Sequence, residues 1–508
     1  MKKIMTIILL LFIICSSAFG SLEKARQHFN NPNVDRKNEK ITYELIMGDY
    51  YFSAIPFAIK HLVNAQKINP EFERALKSLI IKAGPEIFFD VPTEALLRHE
   101  SPTLYFVLGL KFFHEKNYGQ AIKYLEKIPD DNYLQPEVRL TKGAAYSLLG
   151  NSDAGYTEYK KCYTHAENAV SATSNDKIKR YYAILKETCL IHVARLKFTS
   201  QEYDKSMEAY DEIDKTSYKW PYVLLEKAWV KYKQNDYNRT LGLLVTYKYP
   251  LLESYFMPES ELLTALSYHK LCLWEDALSV VDQYYKIYKP RSEALASVLI
   301  KNKTSDSYFF YLTHESTQML EAKHPFIKSL ITQIKKTVKY NVEYGAYKIA
   351  MKEAILLKKM HRDDFIRMLI EDTDAQINLK IKSLNWYIKE YMYEFINKIN
   401  GLSFQLFKIR IDIMSKKRDL IYKGTKLIAD RGRGDLQHVK RTVDEQFWEF
   451  TGEFWADELG DYSFGLKSNC EEVKQRTFED VKKEILEEEK GKMNTEKKDE
   501  GSKGAKND

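Results

Sequence analysis

Residues 104–128 read LYFVLGLKFFHEKNYGQAIKYLEKI. Within them Leu108-Gly109 is followed by Phe112, Tyr118, Ala121, Leu125 and Ile128, the spacing of two short helices seated on each other through a small residue. Gly143 stands 34 residues beyond Gly109, and Tyr146, Gly155, Tyr159 and Cys162 follow it at the offsets of the first copy. Ala194 and Ala228 are again 34 apart. A fixed period of this length marks a helical solenoid, because one helix pair cannot bury its apolar face without a neighbour.

Working outward, five copies are expected over 98–290. The third carries Ala194, Tyr203, Ser206, Tyr210 and Ile213. The fourth carries Ala228, Tyr237, Thr240, Leu244 and Tyr247. The fifth carries Ala265, Tyr268, Trp274, Ala277, Val281 and Tyr284, with Pro290 as a terminator. An insertion falls near 165–181, read as a loop or a lengthened helix. Residues 21–97 read as a degenerate capping repeat, with Gly48-Asp49-Tyr50 at its turn and Pro56 interrupting its middle.

These spacings resemble the tetratricopeptide repeat family. The resemblance implies an all-α, right-handed superhelix whose groove is lined by the first helix of each pair. Counted onto this chain, the groove positions include Phe106, Phe113 and Phe198, then Tyr222, Leu225, Trp229, Tyr232 and Lys233, then Leu262, His269 and Lys270. The chain departs from the family pattern at Arg139 and Glu261, where an aromatic is usual, and closing prolines stand only at Pro70 and Pro290.

Past the array, 291–370 reads as a helical connector in which Gly345 and Ala346 allow close contact. In 371–430, Ile381, Ile388, Phe395, Leu402 and Ile409 recur at sevens, with Ile377, Leu384 and Tyr391 between them. A second seam resumes at Ile399, Leu406, Ile413 and Leu420. This is a coiled-coil pattern with a break near Lys398. A helix of that length cannot leave its stripe in water. It folds back on the chain, pairs with a second copy through 371–425, or docks on another protein. Residues 431–473 crowd aromatics, among them Trp448, Phe454, Trp455 and Tyr462, as a cap on the coiled coil or a docking surface. Residues 474–508 read as a charged disordered tail.

At the other end, Lys2-Lys3, an apolar run from Ile4 to Ile14 and the small residues up to Gly20 form a signal peptide over 1–20, cleaved after Gly20 or Ala18. The rival reading, a lipoprotein signal acylated at Cys15, is disfavoured by Ile14 immediately before it. Four cysteines then remain, and Cys162–Cys189 is the pair expected if one forms. Export places the protein in the periplasm.

The net charge of +7 hides a contrast. Residues 326–441 hold 25 Lys and Arg against 13 Asp and Glu, and residues 442–508 hold 11 against 19. Export and the interleaved acids argue against nucleic acid, leaving a solvated helix face or peripheral contact with membrane or peptidoglycan. The eleven histidines are scattered, no pair lies at metal-ligand spacing, and no phosphate-binding loop or nucleophile elbow occurs. No cofactor, metal or catalytic residue is expected. The chain therefore reads as a non-enzymatic scaffold for other envelope proteins. It looks like periplasmic repeat proteins of predatory and gliding bacteria, some of which belong to motility machines. The rival is a cell-wall or exopolysaccharide accessory protein that binds glycan or regulates a synthase or hydrolase.

Overall fold

The computed structural model describes residues 20–252, 255–316, 318–320, 325–422, 453–468 and 470. Residues 1–19, where a signal peptide is expected, residues 423–452 and those beyond Cys470 lie outside them. The fold is all-α, and no strand occurs among the described residues.

Helices α1 (Lys37–Met47), α2 (Tyr51–Asn64), α3 (Pro70–Ala83) and α4 (Thr93–Leu97) precede five helix pairs. The pairs are α5 (Pro102–His114) with α6 (Tyr118–Leu125), α7 (Gln135–Leu148) with α8 (Ser152–Ala172), α9 (Asp176–Thr199) with α10 (Tyr203–Asp211), α11 (Trp220–Lys233) with α12 (Tyr237–Val245), and α13 (Pro258–Lys270) with α14 (Trp274–Lys301). Then come α15 (Tyr308–Leu312), α16 (Pro325–Lys336), α17 (Val338–Leu357) and α18 (Asp364–Tyr422).

Each pair turns in the same way. The residues Lys116, Gly150, Gln201, Asn235 and Cys272 all take positive φ, at the step of the sequence period. The amide two positions before the second helix's first turn closes reaches back over the turn: Asn117 N donates to Phe112 O at 2.8 Å, Asn151 N to Tyr146 O at 2.9 Å, and Asp236 N to Lys231 O at 3.0 Å. This left-handed helix ending satisfies carbonyls that the first helix would otherwise orphan. Side chains of Asn117, Asn151 and Asp236 then cap the second helix by accepting from Gln120 N, Ala154 N and Arg239 N. The same device recurs at Asp49 and Tyr50 in the N-terminal region, where Tyr50 N donates to Leu45 O at 2.8 Å. The small residues act as expected: a Cβ on Gly143 would lie 2.6 Å from the Tyr159 ring, and Gly109 meets Leu125 in the same way.

The insertion takes the lengthened-helix reading, extending α8 and α9 to 21 and 24 residues, and the expected disulfide joins Cys162 of α8 to Cys189 of α9. Other expectations change. Arg139, where an aromatic was missing, is instead buried in an ion pair, its Nη1 2.9 Å from Glu158 Oε2, with Lys142 3.4 Å from the same carboxylate. Pro56 and Pro290 lie inside α2 and α14 and end neither helix. Gly345 faces open space, whereas Ala346, Ala350 and Ala354 are buried as the apolar face required.

The chain divides into two compact units, one formed by 1–213 and 298–393 and the other by 214–297 and 394–508. In the first, α17 and the start of α18 close over the N-terminal helices. Ala350, Ala354, Leu357, Phe365, Ile366 and Leu369 share one core with Phe52, Phe57, Leu62, Phe72 and Leu76. The tie at the centre of this core is polar. Glu353 of α17 takes the N-terminal amides of α2, Phe52 N at 2.9 Å and Ser53 N at 3.1 Å, and the Ser53 hydroxyl bridges on to Thr373 Oγ1 at 3.0 Å. A carboxylate supplied across some 300 residues thus caps a helix that has no capping side chain of its own. Further along α18, Asn385 does the same for α15, accepting from Phe309 N at 2.8 Å.

In the second unit, α18 runs against the fifth pair. Tyr284 and Tyr285 of α14 donate to the carbonyls of Ile399 and Ser403 at 2.9 and 2.7 Å, and Ile399, Leu406 and Ile413 are buried. The Ile399, Leu406 and Ile413 seam is therefore buried within the chain, which is the fold-back alternative of the three. Leu420 lies outside the residues whose side chains are described.

Replacing Glu353 by Ala strands two buried amides. It should lower the unfolding free energy by about 3 kcal/mol in chemical denaturation, and Glu353→Gln, which keeps one acceptor, should cost less.

Candidate functional site

The faces of the first helices are where the groove residues were expected. In the first unit, Phe106 is only 6% exposed and packs with Leu125, Ile128, Leu134 and Val138. It is core, since the helices approach closely enough there to seal the ring. Phe113 and Phe198 are half-buried against Tyr118 and Tyr203 at the turns of their own pairs.

In the second unit, α11 presents Tyr222, Trp229 and Tyr232 half-buried and Lys233 exposed, while Leu225 is buried. Trp229 stands edge-on to Tyr232 at 5.7 Å, and its indole N–H donates to Glu259 Oε1 at 2.8 Å. The fifth pair is different. Leu262 is buried, and His269 Nε2 meets Asp412 Oδ2 of α18 at 2.6 Å. Glu259 also pairs with Lys398 of α18 at 2.8 Å. The long helix thus engages the face of α13 that was counted as groove, so Leu262 and His269 serve the fold. Burial lowers the His269 pKa, against the pull of Asp412. Lys270 remains exposed beside them.

The C-terminal aromatics also find an intramolecular place. Residues 453–468 run along α12 as a strap with a turn at 456–460. Asn238 grips the strap backbone at both ends of one residue, its Oδ1 accepting from Leu466 N at 2.9 Å and its Nδ2 donating to Leu466 O at 3.1 Å. Gly460 N donates to Thr246 Oγ1 at 3.2 Å, and a Cβ on Gly242 would strike the Tyr462 carbonyl. The bare α12 backbone is what lets the strap lie down. Phe454 and Tyr462 join the cluster around Trp220 and Leu224, and a second disulfide, Cys272–Cys470, closes the strap onto the turn of the fifth pair. Trp455 is exposed, and Trp448 lies outside the described residues. Among the described residues, Phe454 and Tyr462 therefore pack on the fourth pair, and Phe464 and Leu466 pack with Leu241, Leu271 and Leu273.

Counting positions missed one site. On the first unit, Glu137 in the first turn of α7 accepts from the Tyr181 hydroxyl of α9 at 2.7 Å, and its Oε2 is sealed from solvent with no hydrogen-bond partner. Burial pushes the Glu137 carboxyl up to about 7, against the lowering effect of Tyr181. Tyr133 lies nearby in the connection before α7, with the Lys77 ammonium 3.5 Å over its ring. No signal in the sequence marked it: an acid after a proline in a helix's first turn is ordinary, and its partner Tyr181 lies 44 residues on, at the end of the insertion.

Elsewhere, Tyr156, Thr157, Lys160, Lys161, Thr164 and His165 line a depression of about 410 Å³ along α8. Among the described residues no three His, Cys, Asp or Glu side chains converge as metal ligands, and no helix is long and apolar enough to cross a membrane.

No family model matches the chain, and no curated protein matches it. Among solved structures it is similar to the apo form of RapI, at 11% identity and a TM-score of 0.34, over 67% of this chain and 96% of that one. No functional inference rests on so distant a likeness.

Three groups of the first unit carry large shifts between acid and neutral pH. Glu137 and Glu353 are both raised from 4.5 to about 7, chiefly by burial, so the stability they carry is full below pH 4.5 and is lost as pH rises through about 7. His61 is lowered from 6.5 to about 4, first by burial and then by His99 and Arg36, so its contribution is present above 6.5 and is lost as pH falls through about 4. Glu137→Gln should therefore flatten the decline in denaturation midpoint between pH 4.5 and about 7, measured against the parent chain across that window.

Proposed function

We propose that this chain is an exported, non-enzymatic scaffold that holds proteins of a bacterial envelope together, in an assembly of the motility type. The observation that carries the reading is the face of α11. Tyr222, Trp229 and Tyr232 stand half-buried beside the exposed Lys233, on a helix whose core is already filled by Leu224, Leu225 and Ala228. Rigid aromatic rings with a base at their rim are the composition of a protein-binding hot spot. The face would take a peptide or helix with apolar anchors and a carboxylate.

Two disulfides support export. Cys162–Cys189 and Cys272–Cys470 together use every cysteine beyond residue 20, and such bonds persist in oxidising compartments. Together with the signal-like residues 1–20, they favour an oxidising compartment, the periplasm in this reading, and Ile14 directly before Cys15 disfavours a lipid-anchored form. The partners in this reading are other envelope proteins. Nucleic acid plays no part, and membrane or peptidoglycan contact is peripheral.

The test uses the immobilised chain from residue 21 onward and solubilised envelope. Protein partners should be retained after the glycan is digested. Tyr232→Ala with Lys233→Glu should weaken their capture by about tenfold with the melting temperature unchanged. Retention on purified peptidoglycan alone, with no protein captured, would overturn the scaffold reading in favour of a glycan-binding accessory role.

A further inference from the structure

The strap ends on a disulfide that is unlike the other one. Cys162 and Cys189 are both fully buried, whereas Cys470 is exposed and Cys272 is half-buried at the turn of the fifth pair. Cys272 takes φ 57°, the left-handed position held by Lys116, Gly150, Gln201 and Asn235 in the other pairs. That position favours glycine, asparagine or another polar residue, so the turn itself has no use for a thiol. The neighbours of Cys272, Leu271 and Leu273, are buried, and with Leu241 they receive Phe464 and Leu466 of the strap. The bond therefore closes at the rim of the apolar groove that the strap fills.

Apart from that bond the strap is lightly held. Of residues 453–468 only Leu459 and Gly460 are buried. The backbone is tied by the Asn238 side chain at Leu466, by Phe464 N donating to Asn238 O at 3.0 Å, and by Gly460 N at Thr246. Lys215 adds an exposed ion pair with Asp461 at 2.7 Å, of the kind that contributes little. A segment with so few buried side chains opens locally at low cost unless a covalent bond fixes its end. Exposed disulfides exchange with thiols, and buried ones resist.

We propose that Cys272–Cys470 is a redox-operated latch. Its reduction frees the 453–468 strap from α12 and uncovers the groove between α12 and the turn of the fifth pair, and reoxidation closes it. The reductant is a dithiol. One of its thiolates attacks the exposed Cys470 sulfur, the Cys272–Cys470 bond breaks, and Cys272 leaves as the thiolate. The second thiol then displaces Cys470 from the mixed disulfide. The dithiol ends as its own disulfide, its electron pair and both its protons end on Cys272 and Cys470, and the buried Cys162–Cys189 bond is untouched. The latch goes beyond the scaffold reading and needs no bound partner, so its test is independent of the α11 face.

The chain from residue 21 onward would be treated with limiting dithiothreitol, and free thiols trapped with iodoacetamide and mapped by mass spectrometry. Cys272 and Cys470 should be labelled before Cys162 and Cys189, with helical circular dichroism unchanged. Chymotryptic cleavage after Tyr462 and Phe464 should then rise about tenfold, and fall back after reoxidation with oxidised glutathione. Cys470→Ser, at an exposed position, should match the reduced chain with no reductant added. Asn238→Ala should stay resistant while oxidised, because the bond keeps the strap end in place. Equal labelling of the two disulfides, or cleavage that neither reduction nor Cys470→Ser raises, overturns the latch. So does resistance that reoxidation fails to restore, or rapid cleavage of oxidised Asn238→Ala, which would make the clasp and not the bond the holding element.

Discussion

A 59-residue amphipathic helix carries a long apolar seam, and each unit buries the part of that seam that it contains. An apolar stripe of that extent left in water would cost more than any loop closure needed to bury it. In the first unit the cover is the N-terminal region: Phe365, Ile366 and Leu369 enter the core built by α2 and α3. In the second unit it is the fifth helix pair, where two tyrosines of α14 donate to backbone carbonyls of the long helix. A tyrosine hydroxyl bonding to a helix carbonyl fixes the helix along its axis, which apolar packing does not.

Polar groups buried for this purpose bear the cost in their titration. Glu353 accepts two backbone amides and a hydroxyl, yet burial outweighs those bonds and leaves its carboxyl at about 7. Glu137 reaches the same value with a single phenol donor. The two differ in what surrounds them. The Glu353 oxygens are spent on capping α2, while one Glu137 oxygen is buried without a hydrogen-bond partner. The disulfides divide in the same manner: Cys162–Cys189 sits in the core of the lengthened pair, and Cys272–Cys470 is at the surface, holding the strap.

The helix pairs were legible because what specifies them is local. A small residue, an aromatic, a left-handed turn residue and an Asn or Asp cap lie within about one period of each other, so spacing alone locates them. The insertion and the two prolines were less legible. A helix can absorb extra residues or a proline when its neighbours hold it, and that support comes from elsewhere in the chain. The groove positions were the least secure. Phe106, Leu225 and Leu262 are buried because adjacent pairs close on them, and His269 is engaged by Asp412, a residue 143 positions away.

By itself, then, the sequence determined the helical class, the repeat period, the five pairs and the existence of a long helix with a stripe to hide, because each follows from the periodicity of nearby residues. Only the tertiary structure decided what hides that stripe, where the aromatic strap lies, that Cys272 meets Cys470, and which face of α18 stays exposed. Those outcomes depend on contacts between residues hundreds of positions apart. Phe52 with Glu353 and Asn238 with Leu466 are examples, and no local spacing records such pairings.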